Sequence, residues 1–187
     1  MFYISHITGR QTPYDIDTLR ALREQDRVRV DGVTPIAAVK TSVKGSYRYS
    51  AGGNSQRKRA ILAHQIMSSP VVTVHPEASV AHVLELFSSH RFRHIPVVSA
   101  EIKLVGIASD RDILPVQQTE TPVAEIMQTE VLSARPHTEI RSIAEILHLQ
   151  RISAMPIVDK SEVLVGILTS DDILRTLVNN APLELWI

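Results

Sequence analysis

Four short blocks of this sequence occur twice, and the two occurrences are always separated by 60 residues, as from Gly106 to Gly166. The first copy reads Ile66-Met67, Pro96-Val97-Val98, Leu104-Val105-Gly106-Ile107 and Asp112-Ile113-Leu114. The second copy reads Ile126-Met127, Pro156-Ile157-Val158, Leu164-Val165-Gly166-Ile167 and Asp172-Ile173-Leu174. A register kept across four separate blocks indicates an internal duplication. The chain must therefore be able to fold as two similar units.

Within each copy the hydrophobic pattern predicts the order strand, helix, strand, strand, helix. In the first copy, a β-rich run at 71–74 precedes an amphipathic helix that Ser79 is placed to cap. Short apolar strands at 95–98 and 104–108 and a brief helix containing Asp112 complete the unit. The apolar helix positions are Val80, Val83, Leu84 and Phe87 in the first copy and Ile140, Ile143, Ala144 and Leu147 in the second. The remaining elements of the second copy are strands at 155–158 and 163–168 and a last helix over 170–178.

A single unit of this size has too little core to be stable alone, so the two are expected to bury a shared face. The prediction is an α+β or α/β fold in which two repeats pack sheet to sheet about a pseudo-two-fold axis. We place repeat 1 at 61–118 and repeat 2 at 119–180, joined by a polar linker over 116–125. Residues 1–60 then form an N-terminal extension, and 181–187 form an apolar tail.

Composition narrows the class of protein. The 187-residue chain has no cysteine, which excludes disulfides, cysteine-ligated zinc and thiol nucleophiles. Aromatic residues make up only 4%, so the core must be aliphatic. No apolar run approaches the roughly 20 residues needed to cross a bilayer, and residues 1–10 lack the pattern of a signal peptide. We therefore expect a cytoplasmic protein with no membrane partner.

The net charge of zero hides a split, because residues 1–65 carry 11 Lys/Arg against 5 Asp/Glu while the rest of the chain is acidic. Residues 40–59 contain six basic residues and no acidic one, with Tyr47 and Tyr49 between them. One interpretation is a solvated linker. The other is a surface for the phosphate groups of a nucleic acid or nucleotide, where Lys and Arg supply charge and tyrosines supply stacking faces. No helix-turn-helix, zinc-finger or RNA-recognition motif accompanies this stretch.

The rest of the extension has weaker patterns. Residues 14–27 have the apolar spacing of a short helix. Alternation at 27–30, the turn signal Asp31-Gly32 and the run 36–39 predict a β-hairpin. Residues 57–67 have helical composition and lead into repeat 1.

A Ser or Thr at the end of a buried strand, with Asp three residues later, occurs in both copies as Ser109 with Asp112 and Thr169 with Asp172. This spacing places a hydroxyl and a carboxylate side by side at a helix start. A carboxylate can accept two hydrogen bonds from the vicinal diol of a ribose, and the backbone N–H groups there favour a phosphate. The alternative is that the hydroxyls are N-caps and the acids only favour the helix dipole.

These blocks resemble the cystathionine-β-synthase (CBS) domain, and the pair resembles a tandem CBS module. The marks are Met67, the Pro-Val block, and the pattern Gly-Ile-x-Ser/Thr-x-x-Asp, which lies at 106–112 and again at 166–172. The resemblance covers 62–180 and leaves the first 60 residues without a counterpart. It implies a stand-alone regulatory module that binds AMP, ADP, ATP, S-adenosylmethionine or a dinucleotide.

The resemblance also implies two clefts, each taking its Ser/Thr and Asp from one repeat and its adenine contacts from the other. Cleft 1 would consist of Val72, Arg93, His94, Thr169 and Asp172. Cleft 2 would consist of Leu132, Ile152, Ser153, Ala154, Ser109, Arg111 and Asp112. Arg93 and His94 make cleft 1 more polar and cationic, unless Arg93 is only a solvent-exposed strand-end residue. We expect cleft 2 to bind more tightly, because its adenine wall is smaller and more apolar.

No catalytic machinery is evident, so we expect no enzyme activity and no catalytic cofactor. The sequence has no P-loop, no dinucleotide fingerprint and no nucleophile elbow. His90 and His94 are four residues apart, but the segment becomes a strand, which argues against a helical metal pair. The remaining alternatives are a ligand-free dimerisation scaffold, or a nucleic-acid-binding protein that uses residues 40–59.

Association is expected at two levels. CBS pairs commonly form flat, disc-like dimers, so the resemblance implies a homodimer. An unidentified protein partner would bind differently to the ligand-bound and ligand-free conformations of the module. The tail at 181–187, which holds Trp186, is expected to dock on its own domain or on a dimer mate, the alternative being a partner-binding peptide.

Overall fold

Both repeats form the predicted helix, strand pair and second helix in the computed structural model, which describes residues 2–5, 11–14 and 60–180. Two strands precede the repeats, β1 (Phe2–Ser5) and β2 (Gln11–Tyr14). Repeat 1 contains α1 (Val80–His90), β3 (His94–Val98), β4 (Leu104–Ser109) and α2 (Asp110–Ile113). Repeat 2 contains β5 (Val131–Ala134), α3 (Ile140–Gln150), β6 (Ala154–Val158), β7 (Leu164–Thr169) and α4 (Ser170–Asn180).

The duplication extends to the backbone geometry. Helix α1 begins after Ser79, whose Oγ accepts a hydrogen bond from the N–H of His82 at 3.3 Å, as the capping pattern predicts. Helices α1 and α3 both end at a residue with positive φ, Arg91 at 58° and Arg151 at 54°. Left-handed residues commonly end helices, so both repeats stop their first helix by the same device.

The central strand pairs are also equivalent. Strands β3 and β4 are antiparallel, with His94 opposite Ser109, and β6 and β7 are antiparallel, with Ala154 opposite Thr169. In each pair the strand register shifts between the last two residues of the first strand, Val97 and Val98 in β3 and Ile157 and Val158 in β6. Within each repeat, the residue that begins the first strand of the pair is therefore a neighbour of the Ser or Thr that ends the second strand.

The first strand of the unit forms in only one repeat. In repeat 2 it is β5, which pairs with β6 and, on its other edge, with β1. In repeat 1 the run 71–74 makes a single isolated bridge, between Val74 and Val97. The prediction of a regular strand at 71–74 is wrong: within residues 2–5, 11–14 and 60–180, this run is bridged only at Val74 and no strand lies along its other edge.

The sheets are consequently unequal, with the order β2-β1-β5-β6-β7 in one and β3-β4 in the other. Strands β1 and β2 are not among the predicted elements, and Tyr14, the first residue of the stretch 14–27, ends β2. Pro13 lies on β2, the outer strand of its sheet, where the missing N–H is tolerated. The helix predicted from residue 15 onward, the hairpin at 27–39, the basic stretch 40–59 and the tail 181–187 lie outside the described residues.

The first segment of each repeat crosses to the other repeat. Residues Ala63–Gln65 form a short 3-10 helix in place of the predicted longer helix, whose residues 57–59 lie outside the described part. The N–H of Ala63 donates to the carbonyl of Thr138 at 2.8 Å. In the opposite direction, the 3-10 helix Val123–Glu125 places the N–H of Val123 2.8 Å from the carbonyl of Ala78. The two repeats are thus interlocked by two exchanged segments.

The hydrophobic core follows this exchange. Ala63 is buried with the side chains of repeat 2, and Val123 and Met127 are buried with those of repeat 1. A third cluster lies where the two sheets meet, formed by Val98, Leu104, Val131, Val158 and Leu164. The predicted packing of sheet against sheet is therefore confirmed.

Candidate ligand-binding clefts

The Ser/Thr–Asp pairs lie where a strand ends and a helix begins, in identical geometry. In repeat 1, Oδ2 of Asp112 accepts hydrogen bonds from the Ser109 hydroxyl at 2.6 Å and from the Ser109 N–H at 2.9 Å. In repeat 2, Oδ2 of Asp172 accepts from the Thr169 hydroxyl at 2.7 Å and from its N–H at 2.9 Å. Hydroxyl and carboxylate are therefore side by side in both copies, as the spacing predicts.

These hydrogen bonds also have a purely structural role, since they satisfy donors at the start of a helix. They engage Oδ2 of each aspartate. The second oxygen, Oδ1, is approached at 3.4 Å by Nε2 of Gln128 in the case of Asp112. For Asp172, which is 8% exposed, no residue of the described ranges hydrogen-bonds to Oδ1. Each turn thus combines a cap with a carboxylate oxygen that can accept further bonds.

Gln128 is a residue that the sequence pattern did not single out. It belongs to repeat 2 but lies on the crossing segment, where its backbone pairs with Ile107. Its equivalent in repeat 1 is Ser68, which pairs with Ile167 but has a shorter side chain. The exchange of segments brings Gln128 to Asp112, and nothing in local sequence periodicity signals that exchange.

The start of β3 and the residue just before β6 meet across the repeats. Oγ of Ser153 lies 3.1 Å from Nε2 of His94, at hydrogen-bond distance. Because His94 is opposite Ser109 in the β3–β4 register, Ser153 of repeat 2 is brought next to the polar turn of repeat 1. A residue predicted for cleft 1 and a residue predicted for cleft 2 are therefore in contact between the repeats.

Burial lowers the pKa of His94 below its ordinary value of 6.5, against the opposing effect of the Asp110 and Asp112 carboxylates. The charges of Arg111 and Arg93 lower that pKa further. His94 is therefore mainly neutral at pH 7. The cationic character predicted for cleft 1 comes from Arg93 alone at that pH.

The two arginines of the clefts are both exposed. Nε of Arg93 lies 3.9 Å from Oδ2 of Asp110, and 80% of its side-chain surface is exposed. An ion pair of this kind contributes little to stability. Arg111, in the first turn after Ser109, is also exposed. Both guanidinium groups remain accessible to an anion in solvent.

The apolar residues predicted for the clefts occupy different depths. Val72 is 38% exposed, whereas Ala154 is buried. Leu132 and Ile152 are half-buried against the core of repeat 2. Ile152 also borders a groove of about 560 Å³ between α3 and α4. The other residues that line this groove are Ala144, Leu147, His148, Arg151, Ser170 and Ile173.

The described part of the chain contains no metal-binding cluster, no unpaired buried polar side-chain atom and no membrane-spanning helix. Among residues 2–5, 11–14 and 60–180, no group of three or more His, Asp or Glu side chains is placed to hold a metal ion. In the same ranges, every buried side-chain nitrogen and oxygen has a hydrogen-bond partner. None of the helices described there combines the length and apolar character that a bilayer crossing requires.

Comparison with known proteins matches both repeats to one family. The model of the family described as "CBS domain" matches residues 63–118 and again 123–179. The chain is 31% identical over 113 residues to inosine-5'-monophosphate dehydrogenase of Methanocaldococcus jannaschii, which is 60% of this chain and 23% of that protein. It is 31% identical over 119 residues to the CBS domain-containing protein YhcV of Bacillus subtilis, covering 61% of this chain and 84% of that one.

The enzymes among these relatives are matched only in part. The chain spans 22–24% of the length of the curated dehydrogenase, sulfurtransferase and acetyltransferase relatives it matches. The matched part is the CBS region.

Solved structures agree with this match. The CBS domain pair of protein MJ0100, in complex with 5'-methylthioadenosine and S-adenosylmethionine, superposes with a TM-score of 0.61 at 31% identity, over 64% of this chain and 98% of that one. The protein CBSX2 in complex with AMP superposes with a TM-score of 0.60 at 25% identity, again over 64% and 98%. Almost the whole of each solved CBS chain therefore has a counterpart in this chain.

Proposed function

The chain belongs to the CBS domain family, and from that premise we propose that it is a non-catalytic regulatory protein that binds an adenosine-containing ligand between its two repeats. The proposed ligands are AMP, ADP, ATP and S-adenosylmethionine. The observation that carries the proposal is the 3.1 Å contact between His94 and Ser153 across the repeats. Each of these residues adjoins the Ser/Thr–Asp turn of its own repeat, since His94 lies opposite Ser109 and the Ser153 carbonyl accepts a hydrogen bond from the N–H of Ser170. Relatives solved with AMP or with S-adenosylmethionine support the ligand class.

Two clefts are proposed, with the residues assigned above. In cleft 2, Asp112 would accept the ribose hydroxyls, Ser153 and Ile152 would contact the adenine, and Arg111 would face the phosphate. In cleft 1, Asp172 and Thr169 would act with Arg93, His94 and Val72. A carboxylate oxygen suits a diol, and an exposed guanidinium suits a phosphate.

Calorimetric titration with AMP, ADP, ATP and S-adenosylmethionine tests the proposal, on the parent chain and on Asp112→Ala and Asp172→Ala. We expect saturable binding that each substitution weakens or removes at its own cleft. Either variant also loses a helix cap, so the matched control is Ser79→Ala, which removes the cap of α1 at a residue that belongs to neither predicted cleft. The control should lose stability and keep its affinity.

Absence of heat with all four compounds, in protein free of carried-over nucleotide, would favour the dimerisation scaffold instead. Equal loss of binding in Ser79→Ala would show that the aspartates act only as caps.

Ligand binding can regulate only if the ligand has different affinities for two states of the protein. We propose that these states differ in the angle between repeats or in the contact between two copies of the chain. Helix α4 presents exposed apolar side chains at Leu174, Leu177 and Val178, at spacings that share one helix face. This face is the proposed dimer contact. The cytoplasm is the proposed compartment, and the predicted nucleic-acid surface at 40–59 stays a prediction from the sequence.

A further inference from the structure

In repeat 2, the edge of β5 that does not face β6 pairs with β1, a strand that precedes the residues matched to the CBS family. Strand β1 runs antiparallel to β5, with Phe2 opposite Ala134 and Ile4 opposite Leu132. The match to the CBS domain begins at residue 63, so β1 is an addition to the repeat that it completes. Leu132, assigned to the adenine wall of cleft 2, lies on the strand that β1 covers.

Three kinds of contact hold β1 in place besides the strand ladder. The Phe2 side chain is 3% exposed and lies in the core of repeat 2. The Tyr3 carbonyl accepts a hydrogen bond from Oγ of Ser133 at 3.4 Å. The guanidinium of Arg135 stacks over the Tyr3 ring at 4.1 Å and also donates to the carbonyls of Val158 and Asp159. Arg135 thereby ties β1 to the end of β6.

The equivalent run in repeat 1 has no such strand beside it in the part of the chain that the structure describes. Residues 71–74 read Val-Val-Thr-Val and residues 131–134 read Val-Leu-Ser-Ala. β-Branched residues favour strands and Ala and Ser do not, so propensity alone predicts the better strand in repeat 1. The structure has the opposite result, because only the second run forms a strand. The neighbour β1 accounts for this difference.

We infer that β1 is a positioning element for cleft 2: it orders β5, and through β5 the adenine wall at Leu132. Among the described residues, no strand pairs with the run at Val72 in the same way. This inference rests on the proposed function. Linkage is reciprocal, so a ligand in cleft 2 would in turn stabilise the docking of β1. The segment 15–59, which has an excess of Lys and Arg, connects β2 to residue 60. The chain then contacts repeat 2 again at Ile61, whose carbonyl accepts a hydrogen bond from the N–H of Ile140. Ligand binding in cleft 2 is therefore coupled to the docking of β1, which anchors the N-terminal end of the segment 15–59.

The test is a proline substitution in the full-length chain. Ile4→Pro removes a backbone N–H from β1, which lies between two strands and does not tolerate proline. The matched control is Gln11→Pro, the same kind of change at the first residue of the outer strand β2, where proline is tolerated.

The first readout needs no ligand. Hydrogen exchange of the β5 amides should become faster in Ile4→Pro than in Gln11→Pro, while the β3 and β4 amides keep their protection. Unchanged exchange in β5 would overturn the inference whatever the ligand proves to be.

The second readout is AMP affinity, measured with one cleft disabled at a time. In the Asp172→Ala background, where cleft 2 remains, Ile4→Pro should weaken AMP binding about tenfold. In the Asp112→Ala background, where cleft 1 remains, the effect should be less than about twofold. Equal effects on both clefts, or tighter binding at cleft 2, would overturn the inference. A parent chain that binds no AMP would count against the proposed function, and hydrogen exchange would still decide the role of β1.

Discussion

Two glycines show how closely the crossing segments approach the strands of the other repeat. A Cβ at Gly166 would lie 2.3 Å from Sδ of Met67, and a Cβ at Gly106 would lie 2.3 Å from Sδ of Met127. Each methionine belongs by sequence to the repeat that its glycine does not belong to. The Ile-Met block of each repeat therefore packs against the Leu-Val-Gly-Ile block of the other repeat, and this contact occurs twice.

Because of this contact, we expect Gly166→Ala to lower the free energy of unfolding by about 1–3 kcal/mol through overpacking. The loss should be smaller in a Met67→Ala background, since the clashing sulfur is gone. Urea denaturation of the two single variants and the double variant measures the coupling. The control is Gly166→Ala combined with Met127→Ala, which should be additive. Additivity with Met67→Ala as well would contradict the exchange of segments.

His94 makes stability depend on pH. Burial lowers the pKa of this imidazole in the folded protein below 6.5, so the unfolded chain binds more protons in the window just below that value. The free energy of unfolding should therefore fall as the pH drops from about 7.5 to about 5.5, and His94→Gln should flatten the decline. Urea denaturation at both pH values checks this. His82→Gln, on the exposed face of α1, is the control and should retain the slope of the parent.

At the scale of elements, the two first helices begin differently. Ser79 caps α1 through its side chain, whereas Glu139 precedes α3 without a side-chain capping bond. Ser79→Ala should lower the free energy of unfolding by about 1 kcal/mol, and Glu139→Ala should change it by less than about half that amount. Denaturant titration of both variants measures the difference. Equal losses would mean that the Ser79 hydroxyl does not stabilise the helix start.

Elements with a local signal could be predicted from the sequence. Helix α1 has apolar residues at helical spacing and a capping serine, and the turn from Ser109 to Asp112 is specified within four residues. The strand at 71–74 was predicted from composition and is wrong, because a strand also needs a partner along its edge. Strand β1 was missed because its partner is β5, more than 120 residues away in sequence. The contact between His94 and Ser153 depends on how the repeats pack, which no local pattern contains.

At the scale of the whole molecule, the exposed apolar face of α4 is the proposed contact between two copies of the chain. We expect Leu177→Glu to shift the protein from dimer to monomer, because it places a charge in the middle of that face. Ile102→Glu is the control: Ile102 is 52% exposed in the turn before β4, and Glu162 already occupies the equivalent turn of repeat 2 with a similar positive φ. Sedimentation velocity measures both variants. A Leu177→Glu protein that keeps the mass of the parent would place the dimer contact elsewhere.

The exchanged segments have a consequence for how such a chain can arise. Reciprocal exchange of an arm about a two-fold axis is the contact that two identical chains make in a symmetric dimer. Each repeat of this protein offers the arm that the other needs, so a chain with a single repeat could complete itself by pairing with another copy. Fusion through the linker makes that encounter intramolecular and sets a high effective concentration for it. Once fused, the halves are free to differ, and here β1 pairs with β5 of repeat 2 while the run 71–74 of repeat 1 makes a single bridge, between Val74 and Val97.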